Sequence, residues 1–214
     1  MKKSYYILGC GGFAKEVYFL ADECLEDTFK FLGFIDFKPK TTSIMVRGNE
    51  EAVIDEDYFL ANVKPASDIY IYHGIGDPMV LEKLSERFNN YIFPNLIHPN
   101  FVGDKKSIQF GKGNIITAGC IFTVDIEIGS HNIFNLNTTI GHDSIIGDFN
   151  VFNPGANISG GVSIKSGNLF GTNCTVLQML QIGKNNIIGA SSLANKNIDN
   201  NCIMVGVPAK KIIR

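Results

Sequence analysis

The sequence predicts two unlike halves: an α/β N-terminal domain with a small parallel sheet, Rossmann-like in its βαβ order, then a parallel β-helix of hexapeptide repeats. Three observations predict this. A large apolar residue falls at every sixth position from Phe110 to Ile188, and Ala194 continues the register. Asparagine recurs at every eighteenth, at Asn114, Asn132, Asn150, Asn168 and Asn186. The first part of the chain instead alternates strand-like and helix-like patterns separated by glycine clusters. The change of texture divides the chain into residues 1–95 and 96–214.

In the first part, Tyr5 to Leu8 is a short apolar strand broken by Gly9-Cys10-Gly11-Gly12. Phe13 to Glu23 shows helical spacing through Val17, Leu20 and Ala21. Phe31 to Ile35 is a second strand ending at Asp36, and Asp68 to His73 a third. Gly74-Ile75-Gly76 then leads into a helix from Met79 to Phe88, with Asp77 as N-cap and Pro78 at its first position. Strands alternating with helices point to a parallel sheet.

In the second part neither helix nor ordinary strand explains a six-residue period, whereas a triangular β-helix coil of three hexapeptides does. Residues eighteen apart should then stack. Phe134, Phe152 and Phe170 form one such column, and Ile128, Ile146, Ile164 and Ile182 another; both are expected at corners of the prism. The asparagines should form a hydrogen-bonded structural ladder and are candidates for tight-turn or left-handed backbone. Gly111, Gly129, Gly147 and Gly183 mark a further corner, broken at Lys165.

Composition excludes several functions. The formal net charge is -2, with no Lys/Arg cluster interleaved with aromatics, so nucleic acid is not an expected partner. The apolar run in the opening MKKSYYILG stops at Gly9, too soon for a signal peptide, and no stretch reaches the roughly 20 apolar residues of a membrane span. Five scattered cysteines without CxxC spacing fit reduced thiols in a cytoplasmic protein. His131 and His142 occupy different columns and His98 lies outside the repeat, so no metal site is expected.

The stacking rule also sorts the polar residues. The second position after each inward residue should face out, which exposes His142 on a corner beside Asp143 and below Gly160. The glycine is expected to leave a slot for a ligand against the backbone. An imidazole beside a carboxylate suits a general base, with Asn135 nearby. In the first part, Gly9 to Gly12 before a helix reads either as a tight turn or as an anion-binding helix N-terminus. Asp36 then stands where a ribose or base contact is expected.

ILGCGGFAKEV at the start, LIHPN at 96–100, NLNTTIGHDSIIGDF at 135–149 and VGVPAKKI near the end together resemble the bacterial hexapeptide-repeat sugar acetyltransferases. That family acts on nucleotide-linked amino sugars or on sialic acid. The resemblance implies a left-handed β-helix, a homotrimer with active sites between subunits, and acetyl-CoA as acetyl donor. By matching motifs it implies His142 as general base, Asp143 as its orienting acid and Asn135 near the acceptor. Gly9, Gly11, Gly12, Phe13, Asp36, Ile75 and Gly76 would then hold the nucleotide sugar. Gly160, Thr172, Gly189, Ala190, Gly206, Pro208, Lys210 and Lys211 would line the coenzyme's path. Two positions depart from relatives: Val151 and Phe13 each replace a histidine. The expected reaction is N-acetylation of a nucleotide-linked 4-amino-4,6-dideoxy sugar. O-acetylation of sialic acid or another sugar hydroxyl, and a purely structural trimeric β-helix, remain as alternatives.

Overall fold

A computed structural model describes residues 3–25 and 28–212; Met1 and Lys2, at the head of the short apolar opening, lie outside them. The N-terminal sheet has β1 (Lys3–Leu8) near its centre, with β2 (Phe29–Asp36) parallel on one side and β5 (Ile69–His73) parallel on the other. Alternation along β1 decides which side chains go where. Tyr5 and Ile7 join α1 (Gly12–Cys24) through Ala14, Val17, Leu20 and Ala21. Tyr6 and Leu8 face the opposite layer, with Phe59, Leu84 and Phe88. That second layer holds α2 (Glu56–Asn62) and α3 (Pro78–Arg87). Asp77 caps α3 as expected, accepting from the amides of Met79 and Val80 at 2.9 and 3.1 Å.

Residues 43–62 contain elements that the periodicity did not expose. β3 (Ser43–Val46) and β4 (Asn49–Asp55) form a hairpin at the sheet edge, followed by α2. Their buried apolar content is sparse, chiefly Val46, Val53 and Phe59. The available signal was the turn: Arg47 and Gly48 both have positive φ, the geometry of a two-residue hairpin.

The rest of the described chain winds as a left-handed β-solenoid with three parallel faces. The first face carries Ile115–Ile116, Ile133–Phe134, Val151–Phe152, Leu169–Phe170 and Ile187–Ile188. The second includes Ile121–Phe122, Thr139–Ile140, Asn157–Ile158 and Thr175–Val176. The third includes Ile126–Ile128, Ile145–Ile146 and Ser163–Ile164. Every sixth-residue position from Ile116 to Ala194 is buried inside, while Phe110 at the lower end is half-buried.

Two details differ from expectation. The phenylalanine and isoleucine columns lie on the flat faces, because the inward residue is the second of each strand pair rather than a turn residue. Phe134, Phe152 and Phe170 stack with ring centroids 4.7 and 4.5 Å apart and nearly parallel planes. The asparagines, in turn, are not themselves left-handed. The residue before each one is: Gly113, His131, Phe149, Gly167 and Asn185. Their side chains form the ladder, fully buried at the edge entering the first face.

Asn150 shows what a rung contributes. Its Oδ1 accepts from the backbone and side-chain amides of Asn168, both at 2.9 Å, and its Nδ2 donates to Asn132 Oδ1 at 3.1 Å. Asn150→Ala strands a buried amide on Asn168, and a cost of about 2–4 kcal/mol is expected from the lost and unsatisfied bonds. Urea unfolding measures it. An unchanged midpoint would show that the ladder contributes no stability.

The N-terminal domain docks on the first face. Ile115, Ile133 and Val151 point outward from that face and are buried in the same cluster as Ile7, Val17 and Leu20. Residues 203–212 close the far end as an antiparallel hairpin added to the same face.

Candidate active site

The C-terminal ends of β1, β2 and β5 lie in register, Leu8 beside Ile35 and beside His73. Three loops therefore leave one sheet edge together: residues 9–13, 36–37 and 74–76. This is the crevice where open parallel sheets bind ligands, beside the strand from which the chain turns both ways. Gly9 has φ +91, and a Cβ there would sit 2.6 Å from Ile75. Nothing lies within 4 Å of a Cβ built on Gly11 or Gly12, and Gly11 caps α1 without a side-chain bond. The start of this 13-residue helix thus presents free amides to open space, an arrangement that favours an anion.

Asp36 reaches this loop through its own partners. Its Oδ2 accepts from the Cys10 thiol at 2.6 Å and its Oδ1 from the Phe37 amide at 2.8 Å. Burial, then the Asp36 contact, pushes the Cys10 thiol up to about 11, so it stays protonated and is no nucleophile. Phe13 is half-buried against the α1 core, and Gly76 lies 4.0 Å from Val151 of the solenoid by the same Cβ construction. Val151 is buried in the joint between the two parts.

His142 and Asp143 occupy the edge between the second and third faces. The His142 Nδ1 lies 2.7 Å from Asp143 Oδ2, and both side chains are more than half exposed. With the carboxylate accepting from Nδ1–H, Nε2 keeps its lone pair. Asp143 and Asp125 below it are both left-handed, φ +58 and +54, a conformation Asp tolerates better than most residues. Gly160, one coil above, corrects one expectation. A Cβ there would fall 2.6 Å from His142 Nε2 and 2.7 Å from Cε1, so the imidazole itself fills the space the glycine leaves.

The remaining sequence-derived residues do not gather around His142 within one chain. Asn135, Thr172, Gly189 and Ala190 all follow strands of the first face and lie on the edge between the first and second faces. Asn135 is therefore on the edge next to that of His142. Gly206, Pro208, Lys210 and Lys211 form the exposed terminal hairpin. The N-terminal domain covers the first face and adjoins the same edge as Asn135, where Phe19 and Leu20 of α1 border Thr117 and Leu136. Within one chain the candidate residues thus fall on two edges, on either side of the second face.

Sequence reasoning missed a buried histidine pair. His73 Nε2 lies 2.8 Å from His131 Nδ1 across the domain joint. No pattern could have found it, because the two residues are 58 positions apart on unrelated elements. Burial, followed by the neighbouring His131, holds His73 down to about 3. Burial, then Lys112, holds His131 down to about 4, against a smaller opposing effect of Asp148. Unfolded histidine titrates near 6.5, so below that pH the unfolded chain binds more protons and stability falls, until the folded values are reached. Urea midpoints should therefore drop between pH 7 and pH 4.5. In His131→Asn that dependence should be shallower by about one proton; an identical slope would contradict the assignment. Among the described residues no cluster of three or more His, Cys, Asp or Glu could hold a metal, and no helix is long and apolar enough to cross a membrane.

The family model of the PglD N-terminal domain matches residues 5–88. No curated protein sequence matches. Perosamine N-acetyltransferase from Caulobacter crescentus, a variant in complex with CoA and GDP-perosamine, is similar with a TM-score of 0.88. The identity is 26%, over 99% of this chain and 97% of that one. WeeI from Acinetobacter baumannii gives a TM-score of 0.80 at 26% identity, over 97% and 99% of the two chains. The acetyltransferase domain of PglB from Neisseria gonorrhoeae shares the fold, with a TM-score of 0.87 at 24% identity over 98% and 100%.

Proposed function

We propose that the chain is a hexapeptide-repeat sugar acetyltransferase that N-acetylates a nucleotide-linked 4-amino-4,6-dideoxy sugar as a homotrimer, a reading supported by the PglD N-terminal match and the likeness to perosamine N-acetyltransferase and WeeI. Acetyl-CoA is the donor. The glycine loop and the 74–76 loop hold the nucleotide, with the diphosphate at the free amides of α1. The sugar amine attacks the thioester carbonyl, the new C–N bond forms, and His142 Nε2 takes the proton the nitrogen loses. As the C–S bond breaks, that proton passes to the departing thiolate of CoA. Asp143 orients the ring and stabilises the imidazolium. No side chain forms a covalent intermediate, and burial pushes the thiols of Cys10, Cys24, Cys120 and Cys174 up, which fits that route.

The observation that carries the trimer is the division of the site. His142, Asp143 and Gly160 stand on one edge, while Asn135, Thr172, Gly189 and Ala190 stand on another, with the nucleotide crevice beyond. A neighbour related by a threefold axis would set the His142 edge of one prism against the Asn135 edge of the next. Such a ring is closed and head-to-tail.

Complementation tests this reading. His142→Ala removes the base, and Gly11→Glu places a carboxylate where the phosphates would bind. Each variant alone should be inactive against GDP- or UDP-linked 4-amino sugars, read as CoA release. In randomly mixed trimers about one interface in four joins a sound base to a sound loop, so roughly a quarter of wild-type activity should return. No recovery on mixing would sink the intersubunit site. Turnover of sialic acid in place of amino sugars would make the enzyme an O-acetyltransferase.

A further inference from the structure

We infer that His73 and His131 form a positioning joint, fixing the 74–76 loop of the nucleotide crevice in register with the solenoid. The inference rests on the proposed function for its catalytic consequence, but the joint itself is structural. His73 is the last residue of β5, directly before Gly74-Ile75-Gly76. Its ring stacks on Phe93 at 4.8 Å, and the His131 ring stacks on Phe149 at 5.5 Å. Below, a Cβ on Gly113 would lie 2.5 Å from His131 Nδ1, so glycine in the coil beneath lets the ring lean toward His73.

The bond has a direction. His73 Nδ1 is buried without a partner among the described residues. If His131 donated, His73 would carry its proton on that nitrogen as an orphaned donor. The less costly arrangement has His73 Nε2–H donating to His131 Nδ1, leaving only an unpaired acceptor. The charged groups facing the pair are Lys112 and Asp148, both acting on His131.

Much of the joint is apolar: Ile115, Ile133 and Val151 against α1 and β1. Such packing is strong but non-directional, and repeating coils offer similar surfaces at each height. A buried hydrogen bond between two specific rings selects one register, as buried polar contacts do elsewhere. Movement at His73 passes straight to the loop. Gly74 has no slack: a Cβ there would meet Ala14 and Ile7 at 2.7 Å, and its amide donates to Leu8 at 2.8 Å.

The test compares variants by hydrogen exchange without substrate, then by kinetics. His131→Phe keeps the stacking and removes the acceptor; His131→Asn keeps an acceptor near Nδ1, and His73→Gln keeps a donor near Nε2. In His131→Phe, amides 74–76 should exchange at least about tenfold faster while those of β1 do not change. The nucleotide-sugar KM should rise about tenfold, with kcat and the acetyl-CoA KM within about twofold. His131→Asn and His73→Gln should recover most of both effects. Unchanged exchange at 74–76, or an even rise through the whole domain, overturns the joint. His73→Leu, read the same way, decides if His131→Phe does not accumulate. Should the wild type acetylate no nucleotide sugar, the proposed function fails, and exchange alone still judges the joint.

Discussion

His142→Ala is expected to lower kcat by roughly 10²–10⁴-fold, the usual contribution of a positioned general base. The fold should not change. The His142 side chain is 57% exposed, and its hydrogen bond is to the adjacent Asp143 rather than to the core. Oligomer mass, acetyl-CoA affinity and the nucleotide-sugar KM should therefore stay near wild type. Residual turnover should rise with pH, because a deprotonated amine needs the base least. The measurement is steady-state CoA release across pH, with size-exclusion light scattering as the control for assembly. Near-normal kcat in a protein assembled like wild type would remove His142 from the proposed mechanism. Asp143→Asn is a gentler companion: its amide can still contact Nδ1, but it supplies no charge to stabilise the imidazolium.

Gly160→Ala should cost about as much without touching either residue of the pair. The added methyl would sit 2.6 Å from Nε2, too close for any real contact. The Gly160 backbone is held in the ladder, its carbonyl accepting from Met179 at 3.0 Å. The exposed imidazole is the freer of the two and should swing away. Misplacing a catalytic group by about 1 Å costs on the order of 10²-fold. The predicted signature is a fall in kcat of that order, with stability lowered little and acetyl-CoA still bound. A chemical-shift change at the His142 ring would report the displacement directly. Full activity with an undisplaced ring would show that the close approach of Gly160 to the imidazole does not constrain catalysis. A glycine expected to make room for ligand thus makes room first for the His142 ring.

Much of the solenoid was legible because a coil's geometry is written in a short period. Phe134, Phe152 and Phe170 could be stacked from their spacing, and the stacking placed His142 outside with Asp143 beside it. The N-terminal strands and α3 were legible for a similar reason, through alternation, Asp77 and Pro78. The β3–β4 hairpin was not, since its strands contribute few buried apolar residues and only Arg47-Gly48 signals the turn.

What the sequence determined alone was the repeat, and with it which residues share a column. Columns depend on spacing within one coil, and spacing is a local property. Only the tertiary structure decided how columns face one another. It put Asn135 on a different edge from His142, docked the N-terminal domain on the first face, and brought His73 against His131. Those relations depend on where a chain segment lands after long-range packing, and no periodicity within either part encodes it.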